Sequence, residues 1–330
     1  MVLLRRNKVL GEYTKAFRGE KSRLEFLDPH KTGISLISEN TLIAIENGNE
    51  KVRTKTVKLL FQAVGMDLDT FEQFYQQKLL QAQMDYETAT EEIGQLIFDG
   101  HYSEAKERYD SELSKPETYE RDNPLVKQQF MFYEAIFLSW LDKDGKQAIQ
   151  KNVEALLLTQ TKEILVEDTK GVGVTLNLTY ISSQSFKRTE YQLLSSYAST
   201  LSKLDMLEEA ILLNEALVSS LKLPLVAKEL RERMLTMVYF NLSDCLVDAG
   251  RYTEAVELCE EGIAYHRKIK SWRLMGYLYT NQADAFASLG EKEKAHHLFN
   301  LAINQFENDG EQENASVVKS FTLEKYQMTL

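Results

Sequence analysis

Proline and glycine are scarce in this chain of 330 residues, at 4 and 15. That scarcity disfavours a fold of many short strands and tight turns, and favours long helices. No apolar run approaches the roughly 18 residues that cross a bilayer. The opening MVLLRRNKVL is too short and interrupted for a secretory leader, so a cytoplasmic protein is expected. The two cysteines, Cys245 and Cys259, lack metal-ligand spacing and are expected as reduced core residues. Positive charge is also in deficit: the net charge of −11 excludes a protein that coats nucleic acid along its whole length. The deficit is uneven. Residues 1–80 carry 13 basic and 10 acidic side chains, net +3, and the rest of the chain is strongly acidic.

Enzyme signatures are missing as well. Gly171–Val172–Gly173 has neither the lysine nor the following helix of a phosphate loop. No G-x-S-x-G occurs, and Asp142–Asp144–Gly145 lacks the later ligands of a calcium loop. His296 and His297 are adjacent, so a helix points them in different directions, where a metal pair needs spacing of three or four. No catalytic residue, metal or cofactor is expected.

What the chain does have is self-similarity. YFNLSDCLVDAGRYTEAVELCEEGIAYH from Tyr239 overlays YTNQADAFASLGEKEKAHHLFNLAINQF from Tyr279 without a gap. The overlay matches Asn241 with Asn281, Asp244 with Asp284, Gly250 with Gly290 and Ala255 with Ala295. GHYSEAKERY with Gly100 and Ala105, and DMLEEAILLNEAL with Asp205 and Ala210, share the core of the pattern, and a weaker unit surrounds Ala148. In such a unit glycine ends a first helix where positive φ is cheap. An alanine five residues on lets a second helix pack close. One pair cannot bury its apolar stripe alone, so pairs must stack. These residues resemble the tetratricopeptide repeat. The resemblance implies an all-α chain whose larger part is a right-handed TPR-like α-solenoid of about five helix pairs over 91–310, closed by a capping helix over 311–330. Residues 164–183, rich in Val, Ile, Thr and Tyr, interrupt the array as either a small hairpin or an irregular loop.

The first 68 residues read as several short helices. Leu10, Tyr13 and Phe17 are expected inward on the first, and Leu42 and Ile45 on a later one stopped at Asn47–Gly48. Another ends at Gly65, and Asp69 with Glu72 suggests a capping box for a linker helix over 69–90. The stretch TLIAIENGNEKVRTKTVKLLFQAVGMDLDTFEQF resembles the back half of an Xre/Cro-type helix-turn-helix domain. It departs from that pattern in LISEN, which separates Gly33–Ile34–Ser35 from Thr41–Leu42, and in Pro29, which falls where a scaffold helix would run. Head and repeats together resemble the peptide-pheromone-responsive RNPP regulators of Gram-positive bacteria, especially the PlcR and Rgg branches.

That resemblance implies a homodimeric, quorum-sensing transcription regulator with two partners, double-stranded DNA and a short signalling peptide. Ser38, Asn40 and Thr41 offer polar groups to base edges, and Arg18, Lys21, Arg23, Lys51, Arg53 and Lys55 offer positive charge to phosphates. The first helix of each pair would line the concave face, so Asn241 and Asn281 could grip a peptide backbone through donor and acceptor together. Asp244, Asp284, Tyr277, Ser196 and Ser199 join them there. Two alternatives stand beside this reading. The asparagines could instead be repeat positions that bond neighbouring helices. The whole chain could be a TPR adaptor or anti-activator whose head no longer binds DNA.

Overall fold

A computed structural model describes residues 6–27, 38–48, 54–115, 123–166, 175–272 and 274–328. Pro29, Gly33–Ile34–Ser35, Lys51, Arg53 and Gly171–Val172–Gly173 lie outside them. The described residues are all-α but for one tiny sheet, and they fall into two compact units that divide between Lys127 and Gln128.

The first unit opens with the head. Its helices are α1 (Arg6–Arg18), α2 (Arg23–Phe26), α3 (Glu39–Glu46) and α4 (Thr54–Val64). The long α5 (Leu68–Phe98) follows, so the helix covering residues 69–90 continues eight residues further. Val9, Leu10, Tyr13, Phe26, Leu42, Ile45, Leu60, Phe61, Met66 and Phe71 form one core beneath these helices. Phe17 is not part of it. Expected inward, it is 45% exposed, its ring touching Tyr13 at 6.3 Å and Phe26 at 6.4 Å from the rim. The cap of α5 also differs from expectation. Asp67, not Asp69, precedes the helix and accepts from Thr70 N at 2.8 Å, satisfying one of the free donors of the first turn. The unit ends in α6 (Tyr102–Ser114) and the start of α7 (Pro124–Trp140).

The second unit is the rest of the array. α7 pairs with α8 (Gly145–Leu156), α10 (Arg188–Lys203) with α11 (Leu207–Leu221), α12 (Lys228–Asp248) with α13 (Tyr252–Ile269), and α14 (Met275–Ser288) with α15 (Lys292–Asn308). α16 (Gln312–Tyr326) closes it. The interruption is a hairpin. Strands Leu165–Val166 and Thr175–Leu176 pair antiparallel, Leu165 opposite Leu176, and the short α9 (Leu178–Ser183) packs on α11. Ile164, Leu176 and Ile181 bury the insert onto the array.

Gly250 and Gly290 sit at the turns inside two pairs with φ of 72° and 84°, and the next N–H reaches back five residues, Arg251 to Leu246 O and Glu291 to Phe286 O. Asp205 takes the same place at φ 62°, and Lys143 at φ 54° ends α7 likewise, both without glycine. Five residues beyond each of these turns stands an alanine with no exposed surface: Ala148, Ala210, Ala255 and Ala295. Gly310 and Ala315 repeat the arrangement before α16. Both cysteines are buried and unpaired, and burial pushes their thiols up, Cys245 to about 11 and Cys259 to about 12.

Candidate functional site

In the head, Asn40 and Thr41 lie on α3 and Ser38 directly precedes it. Ser38 caps it, its Oγ accepting from Thr41 N at 3.2 Å and sharing a proton with Thr41 Oγ1 at 2.9 Å. Leu42 and Ile45 turn inward, leaving Glu39 and Asn40 exposed. The far end of α3 is clamped. Glu46, 3% exposed, receives Arg18 Nε at 2.7 Å and Arg23 Nε at 2.8 Å. Burial raises its carboxyl, but two guanidinium hydrogen bonds and their charges outweigh that and hold it below the usual range. Gly11 lets α1 approach: a Cβ there would lie 2.6 Å from Glu46 O. Two of the expected phosphate-contacting arginines are thus tied into the protein, while Lys21 and Lys55 are exposed. Glu46 was visible in the sequence only as part of a motif; its buried charge was not.

In the second unit the first helix of each pair is linked to its predecessor by side chains. Thr200 on α10 donates to Ser139 on α7 at 3.2 Å. Asn241 on α12 donates to Ser195 on α10 at 2.9 Å, and Asn281 on α14 to Ser243 on α12 at 2.9 Å. The asparagines therefore do bond neighbouring helices, through their N–H₂ groups. Ser196 is buried and accepts from Asn152 of α8 at 3.4 Å, which sets it in the packing between helices, and Ser199 is half-buried.

Toward the end of the array Tyr277 lies between Phe240, tilted at 5.1 Å, and Phe306, edge-to-face at 4.9 Å, and its hydroxyl accepts from Asn314 of α16 at 2.9 Å. Asp284 is held by Lys325 Nζ at 2.9 and 3.1 Å and by the Tyr326 hydroxyl. Tyr326 also shares a proton with Ser288 at 3.0 Å. Asp244 has no such partner among the described residues. It is exposed yet crowded, and the surrounding protein with the charges of Asp248 and Asp284 pushes its carboxyl up to about 6. Asp248 is raised for the same reasons, partly offset by Lys325. So Asn241, Asp244, Tyr277, Asn281 and Asp284 share two consecutive first helices. Ser195, Ser243, Asp248, Asn314 and Lys325 are their unforeseen partners, and Ser243 was legible only as one of the two residues between matched positions.

The structure of Bacillus thuringiensis PlcR with the peptide PapR7 and DNA superposes at a TM-score of 0.59 with 15% identity, over 94% of this chain and 99% of that one. The chain has the fold of PlcR. Apo PlcR matches equally, at a TM-score of 0.58 and 16% identity over 94% and 98%. The likeness to PlcR runs through head and array alike. The Streptococcus dysgalactiae pheromone receptor Rgg2 aligns over 95% and 98% at 12% identity, but at a TM-score of 0.40 adds nothing to PlcR. No protein-family model matches the chain, and no curated protein matches it in sequence. Among the described residues no helix is long and apolar enough to cross a membrane, and no group of His, Cys, Asp or Glu could hold a metal.

Proposed function

We propose that this chain is a cytoplasmic, homodimeric transcription regulator whose head, residues 1–68, binds DNA and whose array, residues 91–310, binds a short signalling peptide. The observation that carries the reading is the extent of the PlcR likeness: one superposition spans 94% of the chain, and that PlcR was solved with both a peptide and DNA. In the head, the Glu46 clamp would hold α3 while Asn40 reads base edges and Lys21, Lys55, Lys51 and Arg53 contact phosphates. In the array, the amide oxygens of Asn241 and Asn281 and the carboxylate of Asp244 are the groups offered to a peptide. Binding switches the output only where the peptide favours one dimer arrangement over the other.

The second reading, a peptide- or protein-binding adaptor without DNA affinity, draws on the head itself. Ser38 and Thr41 satisfy each other, Arg18 and Arg23 are committed to Glu46, and Glu39 faces solvent at the tip of α3. Fluorescence anisotropy of the full chain on DNA from upstream of its own gene separates the two. Run at two salt concentrations, with and without a synthetic peptide from any adjacent small reading frame, it gives saturable, salt-sensitive and peptide-dependent binding for the regulator. Absence of binding at low salt moves the assignment to the adaptor.

A further inference from the structure

The last helix of the array takes hold of two of the groups that a peptide would use. Asn314, in its first turn, occupies the Tyr277 hydroxyl, and Lys325 and Tyr326, in its last, occupy Asp284. The two ends are anchored differently. The body of α16 is seated by Ala315, Val318 and Thr322, at 1%, 5% and 0% exposure. The last turn is seated more lightly: Lys325 keeps 45% of its side chain in solvent, Tyr326 is half-buried, and Gln327 ends the helix in the left-handed conformation at φ 53°. That turn is held by polar contacts to Asp284 and Ser288 and by the Tyr326 ring, which lies 6.3 Å from Phe299 of α15 and 6.1 Å from Phe321. One ammonium serves two carboxylates here, Asp284 by hydrogen bond and Asp248 by charge, and Asp244 stands beside both; neither Asp244 nor Asp248 has a hydrogen-bonded partner among the described residues.

We propose that Lys325 and Tyr326 are an internal occupant of the peptide site, and that a peptide carrying an ammonium or guanidinium group displaces them from Asp284 and lifts the last turn of α16. The proposal rests on the reading of this face as the peptide site, and it names the chemistry of the ligand: cationic, by its N-terminus or a basic side chain. The observed partner of Asp284 is itself an ammonium, so exchange replaces one charge-assisted contact by another. Two further carboxylates within electrostatic reach of Asp284 favour the incoming cation. Ligand binding thereby becomes a change in the surface that α16 presents, since Val317 and Leu323 on it are 59% and 56% exposed.

The test uses the full chain, its Lys325→Gln variant and a Lys325→Gln, Tyr326→Phe double variant. Two labelled pools of short peptides are titrated by anisotropy, one with a free N-terminus and a single lysine, one acetylated and without basic residues. Removing an internal competitor is expected to tighten binding of the cationic pool by about fivefold or more, the lower end of ordinary coupling between sites, and to leave the neutral pool unchanged. In the wild-type chain the cationic pool is expected to accelerate hydrogen exchange at Phe321–Tyr326. Equal or weaker binding of the cationic pool by both variants overturns the internal-occupant proposal while leaving the peptide site standing. Failure of both pools to bind any of the three chains overturns the peptide site, and the proposal with it.

Discussion

Asn281 donates to Ser243 across 2.9 Å, one helix pair after Asn241 makes the same bond to Ser195. An amide has two ends, and only the N–H₂ end is used in these links. The same residue can therefore splice two helices and still offer its oxygen to a ligand. The structural and the recognition readings of these asparagines are compatible.

That compatibility separates two variants. Asn281→Ala leaves Ser243, which is fully buried, without its donor, and a lost buried hydrogen bond costs about 1–3 kcal/mol. Asn281→Asp keeps an acceptor but loses the donor. Both are expected to lower the urea midpoint of unfolding. A double-mutant cycle with Ser243→Ala is expected to show coupling, whereas a cycle with Ser195→Ala is expected to be additive.

Glu46 is the strongest test in the head. Removing one member of a buried ion pair leaves uncompensated charge, and Glu46→Ala is expected to destabilise the head by about 3 kcal/mol. Its carboxyl is held below the usual range, so its contribution is present above the unfolded carboxylate value and fades as pH falls through the lower folded value. Acid titration of the wild type, followed by the circular dichroism of the head helices, is expected to show this loss, and Glu46→Gln is expected to abolish that part of it.

Asp244 gives the opposite sign. Its folded value of about 6 lies above the ordinary 3.8, so the group favours the unfolded state at neutral pH. The lost stability returns as pH falls through 6 toward 3.8. Asp244→Asn is expected to raise the melting temperature at pH 7.5 and to have little effect near pH 3.8. A uniform shift at both pH values contradicts the assignment.

His266 loses stability on mild acidification. It is fully buried, its Nδ1 lies 3.1 Å from Ser271 O, and its Nε2 has no hydrogen-bond partner among the described residues. Burial depresses it despite that backbone contact. The neutral ring is favoured in the fold, so stability present above 6.5 declines as pH falls from 6.5 toward the folded value. His266→Gln is expected to flatten the pH dependence of the melting temperature in that window, whatever it does to the melting temperature itself.

The turns make a backbone prediction. A Cβ on Gly250 would meet nothing within 4 Å, so Gly250→Ala isolates the left-handed conformation, at a cost of about 1–2 kcal/mol. Asp205, at nearly the same φ, is expected to respond to Asp205→Gly with a gain of up to about 1 kcal/mol. Chemical unfolding of the two variants under one set of conditions checks both.

The pairs were legible because glycine and alanine, spaced by five, each answer to one steric demand. Where the demand was met otherwise, at Lys143 and Asp205, the pattern dimmed although the backbone repeats. Leu42 and Ile45 followed from periodicity, but Phe17, on the same side of its helix as Tyr13, fell beyond the edge of the core. The cap of α5 was misplaced by two residues because Asp67 and Asp69 both stand just ahead of Phe71, and only backbone geometry separates them. The candidate site was half legible. Asn241, Asp244, Asn281 and Asp284 announced themselves by recurring. Lys325 lies 41 residues from Asp284, and Arg18 28 from Glu46, and no local pattern joins charges across such distances.

The alanines behind the turns set a dimension. Where a buried alanine faces the partner helix, its small side chain permits a closer approach than a larger one would. An extra carbon at Ala210 or Ala255 would wedge one pair open by a small angle. Everything further along the array would then swing by that angle, with a displacement that grows with distance. Loop residues can drift without such consequences. These few methyl groups cannot, because each is a tolerance on the placement of every helix beyond it.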